Sequence, residues 1–579
     1  MTQKTLLNKQ FFNFFAFSLK KNLGFTILTT ILTFIISPIY LYNVITNYVQ
    51  HYKPIYKFEN LFNSFSCIMA VGIMAFMLIM LYINFNFLYN KTASDFFHAL
   101  PLKRWHILTA RFISCYISAL LPLTVGYLGT YALTRLNYVQ YTPGKMLPSF
   151  LFTALMMFVL GLFSLLFIIT SGNVFDSIIS ILAINIGIPI IATFTLYLCE
   201  YHLFGFSVSL AIEDLFSYTT PFGFAILGLA KFLYGYTNFK LFTVGSVVGI
   251  TLFTIIIAVL AILAYNKRKS EKAGNAYAFK LIPEIIGLII SAIGLFLITT
   301  IFSYNEPTLL FWVIGTIGAV LSGVVYYLII NRGFKKIKRA VVVSLLSVII
   351  LLAVNFGIKL DIIGWQKNIP EVSEISSVTV VYAGAKVETN NIKLVNKMHT
   401  EIVNYHINNQ GKKENATPIE FEYTLKNGKI LNRYYEVAFE SAKDERKEFL
   451  NKEFSANLLN EYNSTKENCK NWTIEGSLVD QEKGVIGSYS EKNVDPEIIE
   501  KLVLAYIKDV ENCEHDFILQ YSNKKTSLNC YITGEISRKQ EFDFGEDRYY
   551  SSYYGISIGN LDLTPNLKAE LEKLNLEIK

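Results

Sequence analysis

Over the first 360 residues, long stretches without a charged side chain alternate with short polar segments, and then the alternation stops. The uncharged stretches are 22–52, 60–90, 112–134, 146–175, 177–199, 241–266, 285–305, 307–331 and 340–358. A helix needs about 20 mainly apolar residues to cross a hydrocarbon core, so each stretch accommodates one span and the pattern predicts nine. Ser171-Gly172-Asn173, followed by Asp176, is the turn signal that separates the fourth span from the fifth. Beyond residue 360 the period shortens. Ser376–Val381 reads as a strand, and Ile392, Val395, Met398, Ile402 and Tyr405 form a helical stripe. Ile419, Phe421, Tyr423 and Leu425 alternate, turn at Lys426-Asn427-Gly428 and return through Leu431, Arg433, Tyr435 and Val437, a hairpin signature. Asp495-Pro496 opens a helix with Ile499, Leu502, Val503, Tyr506 and Val510 on one face, and Thr564-Pro565 opens another with Leu567, Leu571 and Leu574. The predicted fold class is a polytopic α-helical membrane protein of about nine spans with a C-terminal α+β domain.

Composition and charge sharpen that division. Of 579 residues, 52% are hydrophobic and 17% charged, too few charges for a soluble globular chain. Residues 1–360 carry 25 lysines and arginines against 9 aspartates and glutamates, whereas residues 361–579 carry 27 against 36. The overall basicity therefore reflects membrane topology and gives no reason to expect nucleic acid. With the N-terminus inside, the inner loops hold 17 lysines and arginines and the outer loops 6. The positive-inside rule thus places the N-terminus in the cytoplasm and residues 361–579 outside. Lys4, Lys9, Lys20 and Lys21 precede an apolar stretch with no small-x-small site, which reads as a retained signal anchor. Cys67, Cys115 and Cys199 fall in or beside apolar stretches, and at most one disulfide can form among Cys469, Cys513 and Cys530.

Two loops exceed what connectivity requires. Residues 89–107 lie on the inside, and residues 200–240 lie outside and read as one or two helices lying at or dipping into the interface. No G-x-x-x-x-G-K-[ST] phosphate loop, G-x-S-x-G or H-E-x-x-H motif occurs, so no catalytic, cofactor-binding or metal-binding residue is assigned. His399 and His406 share a helical face, a spacing that reads as solvated surface. Glu541–Asp547 beside Tyr549, Tyr550, Tyr553 and Tyr554 reads as a solvated loop next to an edge strand. Arg111, Asp176 and Glu284 fall near span ends, so the span interiors lack the ionisable groups that an ion-coupled carrier needs.

The stretch Ser94-Asp95-Phe96-Phe97-His98-Ala99-Leu100-Pro101-Leu102-Lys103-Arg104 resembles the inner loop of ABC-2-type ABC transporter permeases of Gram-positive bacteria. Thr220-Pro221-Phe222-Gly223 resembles the proline-containing outer-loop turn of the same family. The resemblance covers residues 1–270 and departs in Ala99, where serine is common, in three further spans at 271–360, and in the exported domain at 361–579. It implies a non-catalytic permease subunit of an ATP-driven exporter in the bacterial cell membrane. Such a subunit works with a cytoplasmic ABC ATPase that carries ATP and magnesium, and with a second permease copy or homologue, amid membrane lipid. The ATPase-docking residues are then Ser94, Asp95, Phe96, Phe97, Leu100, Lys103 and Arg104. Physically, Ser94 would cap the helix, Asp95 would complement its positive end, and Phe96, Phe97 and Leu100 would form an apolar stripe ended by Pro101. The rival expectation is a membrane-anchored envelope sensor or scaffold whose exported domain binds a ligand.

Overall fold

The computed structural model describes residues 3–44, 56–136, 145–208, 215, 219–234, 243–302, 306–382, 385–408, 417–437, 441–466, 469–480, 484–512, 526–540, 548–558 and 565–573. The chain divides into two compact units. One comprises Met1–Leu198 and Ala211–Phe356; the other comprises Cys199–Leu210 and Gly357–Lys579.

In the first unit, nine helices among the described residues are long and apolar enough to cross a membrane. They are carried by α1 (Gln3–Phe34), α2 (Tyr56–Phe85), α4 (Arg104–Leu136), α5 (Met146–Thr170), α6 (Val174–His202), α8 (Val244–Lys267), α9 (Ile282–Ile301), α10 (Leu309–Asn331) and α11 (Ile337–Lys359). Two short helices intervene, α3 (Lys91–His98) and α7 (Pro221–Leu233). The first candidate span runs Lys9–Val44, not 22–52 as the charge boundaries suggested. The charged Lys20 and Lys21 lie inside the continuous helix with both side chains exposed, because a long lysine stem leaves the helical backbone undisturbed while its ammonium reaches away from the apolar surface. A π-turn at Ile35–Ile39 absorbs Pro38, whose missing N–H would otherwise break the ladder.

The spans predicted from 285 onward form a compact group. Ser291 and Ser344 hydroxyls meet at 3.0 Å, joining α9 to α11. Glu284 at the start of α9 pairs with Arg339 at 2.8 Å and accepts the Tyr327 hydroxyl at 2.7 Å. Its charge is thereby answered at one end of the bundle.

The second unit contains two four-stranded antiparallel sheets. The first has the order β2-β1-β3-β4, with β1 Ile375–Tyr382, β2 Ala385–Thr389, β3 Thr417–Leu425 and β4 Ile430–Val437. The second has the order β6-β5-β7-β8, with β5 Cys469–Asp480, β6 Gly484–Val494, β7 Thr526–Gln540 and β8 Arg548–Ile558. The β3–β4 hairpin turns at Asn427-Gly428, with Phe421 opposite Arg433 and Ile419 opposite Tyr435. A helix connects the second and third strand of each sheet, α12 (Ile392–Asn408) in one and α15 (Pro496–Glu511) in the other. Further helices follow the last strand of each, α13 (Lys443–Phe449) and α14 (Ser455–Thr465), then α16 (Pro565–Glu572). The unit is therefore one motif built twice. The inner faces of its crossover helices match in spacing. Val395, Met398, His399, Ile402 and Val403 are buried in one, and Ile499, Leu502, Val503, Tyr506 and Ile507 in the other. Both faces join a single core. The stretch Glu541–Asp547 lies outside the described residues.

Cys199–Leu210 belongs to this second unit although it precedes it by some 150 residues in the sequence. Phe204 stacks flat on His406 at 3.6 Å, Phe206 meets Trp365 edge-on at 5.7 Å, and the Gly205 carbonyl accepts the Tyr434 N–H at 3.4 Å. Gly205 has φ +83°, and a Cβ there would lie 2.5 Å from the Tyr435 ring. Gly205→Ala is therefore expected to destabilise this unit by about 1–3 kcal/mol through combined backbone strain and overlap. Thermal melts of the purified full chain by near-ultraviolet circular dichroism check this, and an unchanged aromatic transition would show that the segment does not depend on that close approach.

Candidate functional site

The loop at residues 89–107 is a short helix framed by two turns. After α2 the chain makes a 3-10 turn over Asn86–Tyr89, and α3 begins at Lys91. Its N-cap is Asn90, whose Oδ1 accepts the Ala93 N–H at 3.2 Å. Ser94, expected as the cap, instead lies inside the helix. Its N–H donates to the Asn90 carbonyl at 2.9 Å, and its side chain is fully buried with an unpartnered hydroxyl. The cap moves because Asn90, in extended backbone, is the first residue able to turn its side chain back on the helix start. Asp95 is consequently past the first turn and faces solvent, too deep in the helix to complement its positive end strongly. The helix stops at His98, before Leu100-Pro101, where the proline disfavours helical backbone at the residue preceding it.

The expected apolar stripe divides into an outward and an inward member. Phe96 is 64% exposed, whereas Phe97 turns inward and lies 4.7 Å from Phe87. The Arg111 guanidinium lies over both rings, 4.1 Å from the Phe97 centroid and 4.3 Å from that of Phe87. Arg111 also donates to the Asn84 carbonyl, so this buried cation joins the end of α2, the loop helix and α4 through its delocalised plane. Leu100 is half-buried and Lys103 exposed.

Arg104 and Arg268 extend the same arrangement. Arg104 donates to the carbonyls of Asn266 and Arg268 at 3.1 and 3.0 Å, closing the end of α8. Arg268 is buried and donates to Leu88 at 2.7 Å, to Ser171 at 2.5 Å, and to Ile168 and Ile169. These are carbonyls that end-of-helix geometry leaves free, and the negative helix ends favour a cation there. Burial lowers the Arg268 pKa to about 10, which leaves it charged at neutral pH. His98, beside Phe87 and Tyr265, is pushed down to about 4 by burial and then by Arg104 and Arg268. It is therefore neutral at physiological pH.

The turn between α5 and α6 is held in the same neighbourhood. Gly172 exchanges backbone hydrogen bonds with Ala276 and Gly274 at 2.9 and 2.8 Å, and Ala278 donates to Thr170 at 2.8 Å. A Cβ on Gly172 would fall 2.0 Å from the Asn275 carbonyl oxygen, so only glycine fits this clasp.

At the other end of the bundle, Thr220 caps α7 by accepting the Gly223 N–H at 3.1 Å, with Pro221 as the first helical residue and Phe222 exposed. With 13 residues, α7 is too short to span. Its Leu233 carbonyl accepts from Asn63 and Lys145 at 2.9 and 3.0 Å, while Phe224 meets Phe152 at 5.7 Å. Phe152 lies six residues into α5, about 9 Å along its axis, so α7 descends N-terminus first between its neighbours.

In the second unit, His399 is buried, contrary to the expectation of solvated surface. Its Nδ1 and Nε2 lie 2.8 and 2.6 Å from the hydroxyls of Tyr423 and Tyr435, and its ring stacks on Phe421. No metal-ligating group of three or more His, Cys, Asp or Glu residues occurs among the described residues. No family model, curated protein or solved structure matches the chain.

Proposed function

We propose that this protein is the membrane subunit of an ATP-driven exporter of the ABC-2 type, moved by a separate cytoplasmic ATPase that docks on residues 94–106. The observation that carries this reading is the division of labour within α3. Phe96 presents a large apolar ring outward, while Phe97 and Arg111 lock the same helix to the ends of two candidate spans. A surface built in this way can receive a push and pass it to the spans. The absent phosphate loop requires the energy to come from a partner, and the inward descent of α7 fits the outer-loop element of that family. The basic loop ends support a cytoplasmic face at α3 and an extracytoplasmic second unit. Six such spans supply half a pathway in that family, so a second permease subunit completes it.

Phe96→Asp tests this reading. Placing a carboxylate where an aromatic ring enters a partner groove is expected to weaken ATPase association at least ~10-fold. The melting behaviour should not change, because Phe96 contributes little to the core. Quantitative co-purification of the ATPase from membranes measures it. Wild-type stoichiometry in Phe96→Asp would remove the docking assignment and leave the sensor or scaffold reading in its place.

A further inference from the structure

A groove of about 280 Å³ opens on the side of the first unit between α4, α5 and α8. Phe112 and Phe158, edge to face at 5.2 Å, line it. Ile113 and Ile255, respectively 39% and 54% exposed, line it from α4 and α8. The two threonines in its lining offer no polar contact. Thr109 donates to the Trp105 carbonyl at 2.9 Å and Thr254 to the Ile250 carbonyl at 2.6 Å, so both present methyl groups. The groove therefore accepts an aliphatic chain and nothing that needs a hydrogen bond.

Its depth is that of one leaflet. On α4 the lining begins at Leu108, about 6 Å along the axis from Arg104, and on α8 it ends at Thr254, about 20 Å from Lys267. Half a hydrocarbon core is about 15 Å. Arg104 and Trp105 stand one turn before Leu108 and Thr109 on the same helical face. The Arg104 guanidinium reaches across to the end of α8, where Lys267 and Lys269 are exposed. None of these three cations has a carboxylate partner among the described residues. Tryptophan and basic side chains at this level mark the headgroup region of a bilayer.

We propose that the groove holds one acyl chain of an anionic phospholipid from the leaflet at the basic end, with its phosphate against Arg104, Lys267 and Lys269. This assignment needs the membrane-spanning arrangement but not the exporter reading.

The test uses the full chain in proteoliposomes carrying phosphatidylglycerol or phosphatidylcholine with the same photoreactive acyl chain, followed by peptide mapping. Phosphatidylglycerol adducts are expected to concentrate on residues 105–113 and 254–262, with little from phosphatidylcholine. Lys267→Gln with Lys269→Gln should lower the phosphatidylglycerol signal about fivefold for each charge removed. Ala258→Trp, which fills the groove, should abolish labelling at both peptides, and Ala258→Leu serves if the larger side chain prevents folding. Three results would overturn the proposal: labelling spread evenly over the exposed faces of α1 and α8, labelling undiminished in a groove-filled variant that melts like wild type, or cross-links through 254–262 to a second copy.

Discussion

Arg268→Ala is expected to produce a large loss of stability in the membrane unit, on the order of 3 kcal/mol or more. The side chain is almost completely buried and donates to Leu88, Ile168, Ile169 and Ser171. Truncation leaves these carbonyls without their charged donor in a site closed to bulk solvent. The ends of two candidate spans and the turn before α6 would then separate. Arg268→Lys should recover only part of the loss, because a point-charge ammonium cannot reproduce a planar fork reaching two helix ends at once. Melting midpoints of the detergent-purified full chain decide the matter. The order expected is wild type, then lysine, then alanine, and an alanine variant that melts with wild type would show that the staple is redundant. In the exporter reading, a lysine variant that retains the ATPase but loses stimulated turnover would identify this knot as the transmitting element.

The second large effect concerns His399 and acid. Burial, followed by the charge of Arg433, lowers the His399 pKa to about 3; the unfolded chain would titrate near 6.5. Between those values the unfolded state binds a proton that the folded state refuses, so stability is fully present above about pH 6.5 and falls as the pH drops toward 3. The loss between pH 7 and pH 3 is on the order of 4 kcal/mol. Titratable groups around the ring are the hydroxyls of Tyr423 and Tyr435 and the guanidinium of Arg433, which stacks on Trp365 at 3.6 Å. None of these changes charge in that window, so the slope belongs to His399 among them. Near-ultraviolet circular dichroism melts of the full chain from pH 7.5 to pH 4 should show a falling aromatic transition in wild type and a shallower fall in His399→Gln. Equal slopes would place the acid sensitivity in other groups of the chain.

The corresponding position in the second copy of the motif is Val503, which packs without any hydrogen bond. A buried histidine is therefore not demanded by the motif's core, and its two tyrosine partners are particular to the first sheet. This duplication was not legible in the sequence. Its copies share the spacing of their buried helical faces, but their hairpins differ in length and their side chains differ in kind. The sequence signals that did identify elements are local. Asn427-Gly428 turns the hairpin because left-handed backbone is cheap at glycine, and Asp495 caps α15 by accepting the Glu497 N–H at 2.9 Å. The loop helix shows the limit of the same reasoning. Ser94 and Asn90 are both competent caps, and the choice falls to Asn90 because the turn after α2 leaves that residue extended.

Nine apolar stretches, the change of period after residue 360 and the strand hairpin follow from the chain alone. Each depends on the spacing of neighbours, and the hydrophobic effect acts on that spacing directly. In the sequence Arg104 and Arg268 count only as basic loop markers, and Arg111 only as a charge near a span end. The fold makes Arg104 and Arg268 donors to carbonyls remote in sequence, and lays Arg111 over two phenylalanine rings. Likewise, Phe204-Gly205-Phe206 reads in the sequence as part of an interfacial helical segment until Tyr435 and His406 are placed against it. A buried charge or a close glycine contact is defined by partners far along the chain, and only the folded backbone brings those partners within reach.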